Sequence, residues 1–88
     1  MDVTFPSKRR SSLVILIEIL KAAKRGIRRT HLLTSVSLSY EQSTRYIEFL
    51  KAHGLIKQND NVYQTTDEGL DLIEEFNSSS LIRSVLAT

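Results

Sequence analysis

The stretch that decides the fold is Thr30–Ile56, THLLTSVSLSYEQSTRYIEFLKAHGLI. It divides into a short helix, a tight turn, a second helix and the start of a strand. Ser39 is suited to cap the second helix, because its hydroxyl can accept one of the amide hydrogens left free in the first turn. Gln42 stands three residues later, the spacing at which a side chain reaches back to the amide of the capping residue. The helix then runs Tyr40–His53, and Gly54 follows where a left-handed residue commonly closes a helix. Val36-Ser37-Leu38 has the length of a short turn between two helices. Within Tyr40–His53, Ile47 and Leu50 point inward, joined by Tyr46 or Phe49. Glu41, Gln42, Thr44 and Arg45 point outward at its N-terminal end, and Ser43 lies nearer the core.

Upstream, a first helix is expected to start near Ser7 or Ser11 and end near Arg25, with Gly26 as its stop. On a helical wheel Leu13, Leu16, Ile17, Leu20, Ala23 and the stem of Lys24 form one stripe. Ile15, Ile19 and Ala22 form a second stripe beside it, expected to face a partner chain, with cover by the chain's own C-terminal segment as the alternative. Gly26-Ile27-Arg28-Arg29 reads as a short extended connector. Thr30 is expected to cap the helix Thr30–Val36, which buries Leu32 or Leu33 together with Val36.

Downstream, Leu55–Gln58 and Val62–Thr65 are two β-prone runs around Asn59-Asp60-Asn61, a hairpin signal. Thr65 or Thr66 then caps a further helix with Asp67 and Glu68 in its first turn, where the helix dipole favours acids. Leu70, Ile73 and Phe76 supply its apolar edge. Asn77-Ser78-Ser79-Ser80 is a poor helix sequence and marks an expected kink or end. Leu81, Ile82, Val85 and Leu86 form a small amphipathic tail suited to a partner subunit. The order is helix, short strand, helix, helix, β-hairpin, helix. This is an α+β fold, mainly α with a small β-hairpin, and it is the order of a winged helix-turn-helix. The expected division is a loose arm over 1–7, the winged-helix domain over 8–76 and a dimer-associated tail over 77–88.

The totals agree with one domain. The chain has 88 residues and a 41 % apolar share, and no run approaches the roughly 18 apolar residues of a membrane span. The N-terminal basic residues and apolar block resemble a signal peptide, but Glu18 interrupts the block and removal would delete the first core helix. With no cysteine, neither a disulfide frame nor a thiolate metal site is available. Two histidines, no Gly-rich phosphate loop and no nucleophile constellation leave little for catalysis, cofactor or metal. Net charge is only +2, yet the first 29 residues are basic and the chain from Asp60 onward is acidic. That asymmetry points to a polyanion partner for one face.

The segments GIRRTHLL, LSYEQ, RYIEFL, HGLI and VYQTTDEGLDLIEEF resemble the archaeal winged-helix family of small dimeric DNA-binding proteins and transcription regulators. The resemblance rests on Arg29-Thr30-His31-Leu32, Leu38–Gln42, Tyr46-Ile47, Leu50, Gly54-Leu55-Ile56 and Thr66-Asp67-Glu68-Gly69, within about Leu13 to Phe76. It implies double-stranded DNA binding by a homodimer, with transcription regulation as the expected role in the cytoplasm, at the nucleoid. Ser43 stands where the family tends to have Leu, and Glu41 where a basic residue is commoner. Some members form a coiled coil through a long last helix, which here meets Ser78-Ser79-Ser80.

In a helix-turn-helix the N-terminal part of the second helix enters the major groove. Glu41, Gln42, Thr44 and Arg45 are therefore the candidates for base edges. Gln can pair with adenine, Arg with guanine, and Glu can accept from cytosine. Candidates for the phosphate backbone are Lys8, Arg9, Arg10, Arg28, Arg29, Thr30, His31, Ser39 and Tyr40, with Lys57, Asn59 and Asn61 in the hairpin. The plain alternative for each is a solvated helix face, a cap or an ordinary turn. Two other functions remain open from sequence: a nucleoid-structuring protein without sequence preference, and a winged helix that contacts protein.

Overall fold

The computed structural model describes residues 10–78. Helix α1 (Ser12–Ala22) begins at Ser11, whose hydroxyl accepts from the Val14 amide at 3.1 Å. It closes through Ala23, and Gly26 at φ +92° turns the chain into strand β1 (Ile27–Arg28). Helix α2 (Arg29–Val36) follows at once and ends at Ser37, in the left-handed region at φ +57°. The Leu38 amide then reaches back to the Leu33 carbonyl at 3.0 Å.

Helix α3 (Tyr40–Ala52) carries the full capping box: Gln42 N–H donates to Ser39 Oγ at 3.1 Å and Ser39 N–H to Gln42 Oε1 at 3.0 Å. Its other end is a Schellman closure around Gly54 at φ +70°. Leu55 N–H bonds to the Leu50 carbonyl at 2.9 Å, and Gly54 N–H to that of Lys51 at 3.0 Å.

Strands β2 (Ile56–Asn59) and β3 (Val62–Thr65) flank the two-residue turn Asp60-Asn61. Asp60 takes φ +58° there, a conformation that Asp tolerates better than most side chains. The sheet is antiparallel with order β1-β3-β2; Ile27 lies opposite Tyr63, and Gln58 opposite Tyr63 on the other side. Helix α4 (Asp67–Ser78) starts at Thr66, whose hydroxyl accepts from Gly69 N–H at 3.2 Å.

The core joins Ile15, Ile19 and Leu20 of α1 and its C-cap Ala23 to Leu32 and Val36 of α2, Leu38 of the turn, and Ile47 and Leu50 of α3. Ile56, Tyr63 and Ile73 close it from the hairpin and α4. This corrects the stripe assignment. Ile15 and Ile19, expected at a partner chain, are enclosed by the chain's own core, and Ala22 is half-buried against it. Leu13, expected in the core, is 36 % exposed. The wheel marks stripes but not their neighbours, and α1 packs against α2, α4 and β3 together.

One further expectation changes. Thr30 does not cap α2; Arg28 holds the cap position with no side-chain bond. The extended β1 feeds straight into the helix, so the last strand residue becomes the cap. Helix α4 runs to Ser78, within the Asn77–Ser80 stretch expected to kink or end it, and the Ser78 hydroxyl donates to the Glu74 carbonyl at 2.8 Å. The arm, Lys8, Arg9 and the tail residues Leu81, Ile82, Val85 and Leu86 lie outside the described residues.

Candidate nucleic-acid interface

The first turns of α3 present Tyr40, Glu41, Gln42 and Arg45 to solvent, and with half-buried Thr44 they line one shallow, open depression. The four residues expected at base edges are thus brought together. Their chemistry differs from the bare residue types. Gln42 Oε1 is held by the Ser39 amide, which leaves the Nε2 donor as its outward polar group. Thr44 Oγ1 donates to the Tyr40 carbonyl at 3.0 Å and accepts from Arg29 at 3.1 Å. Its hydroxyl is engaged, so its methyl is the group suited to a base contact. Arg45 has no hydrogen bond or ion pair among the described residues. Glu41 lies in the first turn, where a carboxylate complements the helix dipole.

Arg29 and Arg10, both expected at phosphates, are occupied inside the fold. Arg29 is half-buried beneath the N-terminal end of α3. Its Nη1 donates to Ser43 Oγ at 3.3 Å and to Thr44 Oγ1, and its Nη2 to Tyr63 Oη at 3.0 Å. The guanidinium carbon lies 4.5 Å from the centroid of the Tyr40 ring and 5.3 Å from that of Tyr63. Arg10 donates to the Val36 and Ser37 carbonyls at 2.7 and 3.3 Å and pairs with Glu18. It closes the C-terminal end of α2, where orphan carbonyls and the negative end of the dipole favour a cation.

Arg28, Thr30, His31, Ser39, Lys57, Asn59 and Asn61 are exposed. Strand alternation puts Lys57 and Asn59 on the sheet face turned away from Ile56. There they share an open depression with Val62 and Gln64. The hairpin is tied to α3 a second time: Lys51 Nζ donates to Gln58 Oε1 at 3.0 Å, and Gln58 Nε2 to the Asp60 carbonyl at 2.7 Å.

Sequence reasoning missed Tyr63, Lys51 and Gln58 as parts of this assembly. Ser43 was the one signal. It is a fully buried serine within α3, and its hydroxyl joins Arg29 to the Tyr40 carbonyl, the latter at 2.8 Å.

Two helices joined by a tight turn, a hairpin locked to the second of them and a polar face at its N-terminus define a winged helix-turn-helix domain, a class of binding module and not an enzyme. A profile of the winged helix-turn-helix family matches residues 9–84, and the chain belongs to that family.

The chain is 33 % identical over 73 residues to the uncharacterized protein MJ0290 of Methanocaldococcus jannaschii; the match covers 82 % of the chain and 35 % of that protein. The chain therefore spans about a third of that relative's length. It is 31 % identical over 65 residues to MJ0287 of the same organism, covering 73 % of the chain and 67 % of that protein. The crystal structure of Sso10a-2, described as a DNA-binding protein from Sulfolobus solfataricus, matches with a TM-score of 0.73. That match has 22 % identity and covers 89 % of this chain and 86 % of that one. It establishes a shared fold. No helix among the described residues is long and apolar enough to cross a membrane.

Proposed function

We propose that this chain binds double-stranded DNA through the N-terminal half of α3, as a homodimer that regulates transcription in the cytoplasm. One observation carries the reading: Glu41, Gln42 and Arg45 stand together in solvent at the start of a helix whose other face is locked into the core. A helix presented in this way fits the major groove, where donor and acceptor patterns distinguish all base pairs. The fold shared with Sso10a-2, described as DNA-binding, supports it. Arg28, Lys57, Asn59 and Asn61 are the exposed candidates for phosphate contact.

Ile15 and Ile19 are enclosed, so they do not supply the dimer surface. The exposed large apolar side chains outside α3, among the described residues, are Leu13 and Leu70. The test is fluorescence anisotropy on a random duplex of about two helical turns at low and moderate salt, with light scattering for mass. Salt-sensitive binding by a species of twice the chain mass supports the proposal. Selection from a randomised duplex pool then separates a regulator from a nucleoid-coating protein.

A protein-binding winged helix is the second reading. It draws on Phe49, 48 % exposed in the C-terminal half of α3, with its ring 4.3 Å from that of the C-cap His53 and tilted against it by 44°. Absence of duplex binding at low salt would favour it.

A further inference from the structure

Arg29 carries a permanent charge into a half-buried site, and the side chains it hydrogen-bonds there are neutral. An arginine cannot shed its proton to escape such a position. Three hydroxyl oxygens and the faces of two tyrosine rings take the place of water, as ring quadrupoles can for a guanidinium. One nitrogen has no partner at all: Nε is buried without an acceptor, an expensive arrangement for a residue serving packing alone. The oxygens belong to two different elements. Ser43 and Thr44 lie in the second turn of α3, and Tyr63 lies in β3. Both α3 hydroxyls pass the contact on to the Tyr40 carbonyl.

We propose that Arg29 is a positioning residue: its guanidinium fixes the N-terminal turns of α3 against the wing strand β3, and it takes no phosphate itself. The inference rests on the DNA-binding reading. The planar fork bridges the two elements with donors from both terminal nitrogens, and Tyr40 is stacked over it in an outward pose. A lysine cannot reproduce this, because its ammonium lacks both the fork and the flat face.

The experiment compares the full-length protein with Arg29→Met, Arg29→Lys, Tyr63→Phe and Arg45→Met, by anisotropy on one duplex across a salt series. Thermal melts confirm that each variant is folded at the assay temperature. A phosphate-contacting cation contributes about 0.9 to the slope of log affinity against log salt. Arg29→Met is expected to weaken binding by ~10-fold or more at every salt concentration and to leave that slope unchanged. Arg29→Lys should not restore binding.

Tyr63 is buried, so Tyr63→Phe removes a clamp contact and no surface contact. It should weaken binding at unchanged slope, and it decides the matter if Arg29→Met does not fold. Arg45→Met marks the behaviour of a direct contact. A slope lowered by about one in Arg29→Met, or wild-type affinity in folded Arg29→Met or Tyr63→Phe, overturns the proposal. If the wild-type protein does not bind the duplex at low salt, the DNA-binding reading itself falls. If it binds and only the Arg29 and Tyr63 results fail, the positioning role alone falls.

Discussion

A Cβ placed on Gly69 would overlap the carbonyl oxygen of Leu55 and the methyl group of Thr65. The first turn of α4 therefore packs backbone to backbone on the chain entering β2. Thr66 holds the same junction: its N–H donates to the Leu55 carbonyl at 3.0 Å, and its hydroxyl to that of Gly54 at 2.6 Å. Gly69→Ala should destabilise the domain by about 1–3 kcal/mol or more, because the backbone contact cannot yield as a side chain would. Urea denaturation checks it. A midpoint unchanged from wild type would show that α4 shifts freely at this junction.

Thr65 is buried, and its hydroxyl donates to the Leu20 carbonyl at 2.6 Å while its amide donates to the Ala23 carbonyl at 3.0 Å. The Leu20 carbonyl lies in the last turn of α1, where intrahelical donors run out, and the Ala23 carbonyl at its C-cap also accepts from the Gly26 amide at 3.1 Å. Thr65→Val keeps the shape and leaves the Leu20 carbonyl without its side-chain donor. A loss of about 1–3 kcal/mol is expected in thermal or urea melts.

Arg10→Ala should cost about 1 kcal/mol of stability through the exposed end of α2. On the DNA-binding reading, the salt slope of binding should not change, since this guanidinium is engaged by Val36, Ser37 and Glu18. A slope lowered by about one would show that Arg10 leaves the helix end for a phosphate.

Gln42 separates capping from recognition. Gln42→Glu keeps an acceptor for the Ser39 amide and adds a favourable charge in the first turn, so the melting temperature should hold or rise. It removes the outward Nε2 donor and brings a carboxylate to the proposed groove face, so duplex affinity should fall by ~10-fold or more. Unchanged affinity would mean that Gln42 is a cap and nothing else.

The parts of the fold that could be read in advance were those with local causes. Ser39 and Gln42 stand three residues apart and form the box that this spacing suggests. Gly54 closes α3 because a left-handed residue is needed there. Asp60-Asn61 turns the hairpin between two β-prone runs. What escaped was decided across the chain. Leu13 and Ile15 fall on adjacent apolar stripes of the wheel, and only the placement of α2 and α4 determines which is enclosed. Arg29 stands in a basic run like any surface arginine, and its fate depends on Tyr63, more than thirty residues away. Arg10 reads as part of an N-terminal basic cluster, while its partners Val36 and Ser37 lie at the C-terminal end of α2. At the candidate site, the outward face of α3 could be read from periodicity. The orientation of Gln42 and the engagement of Thr44 could not.

The short strand Ile27–Arg28 has a consequence in time. Its partners, Tyr63 and Val62, come about 35 residues later in the chain, whereas β2 and β3 close over two residues. Hairpins form within microseconds, but a strand that waits for a distant partner must first bear the entropy of a long loop closure. Strand β1 is therefore expected to dock after the hairpin has formed. Arg29 follows β1 directly, so the contact between α3 and the wing matures with that docking. The surface proposed to read DNA would then be among the last features of the molecule to assemble, and among the first to loosen when it begins to unfold.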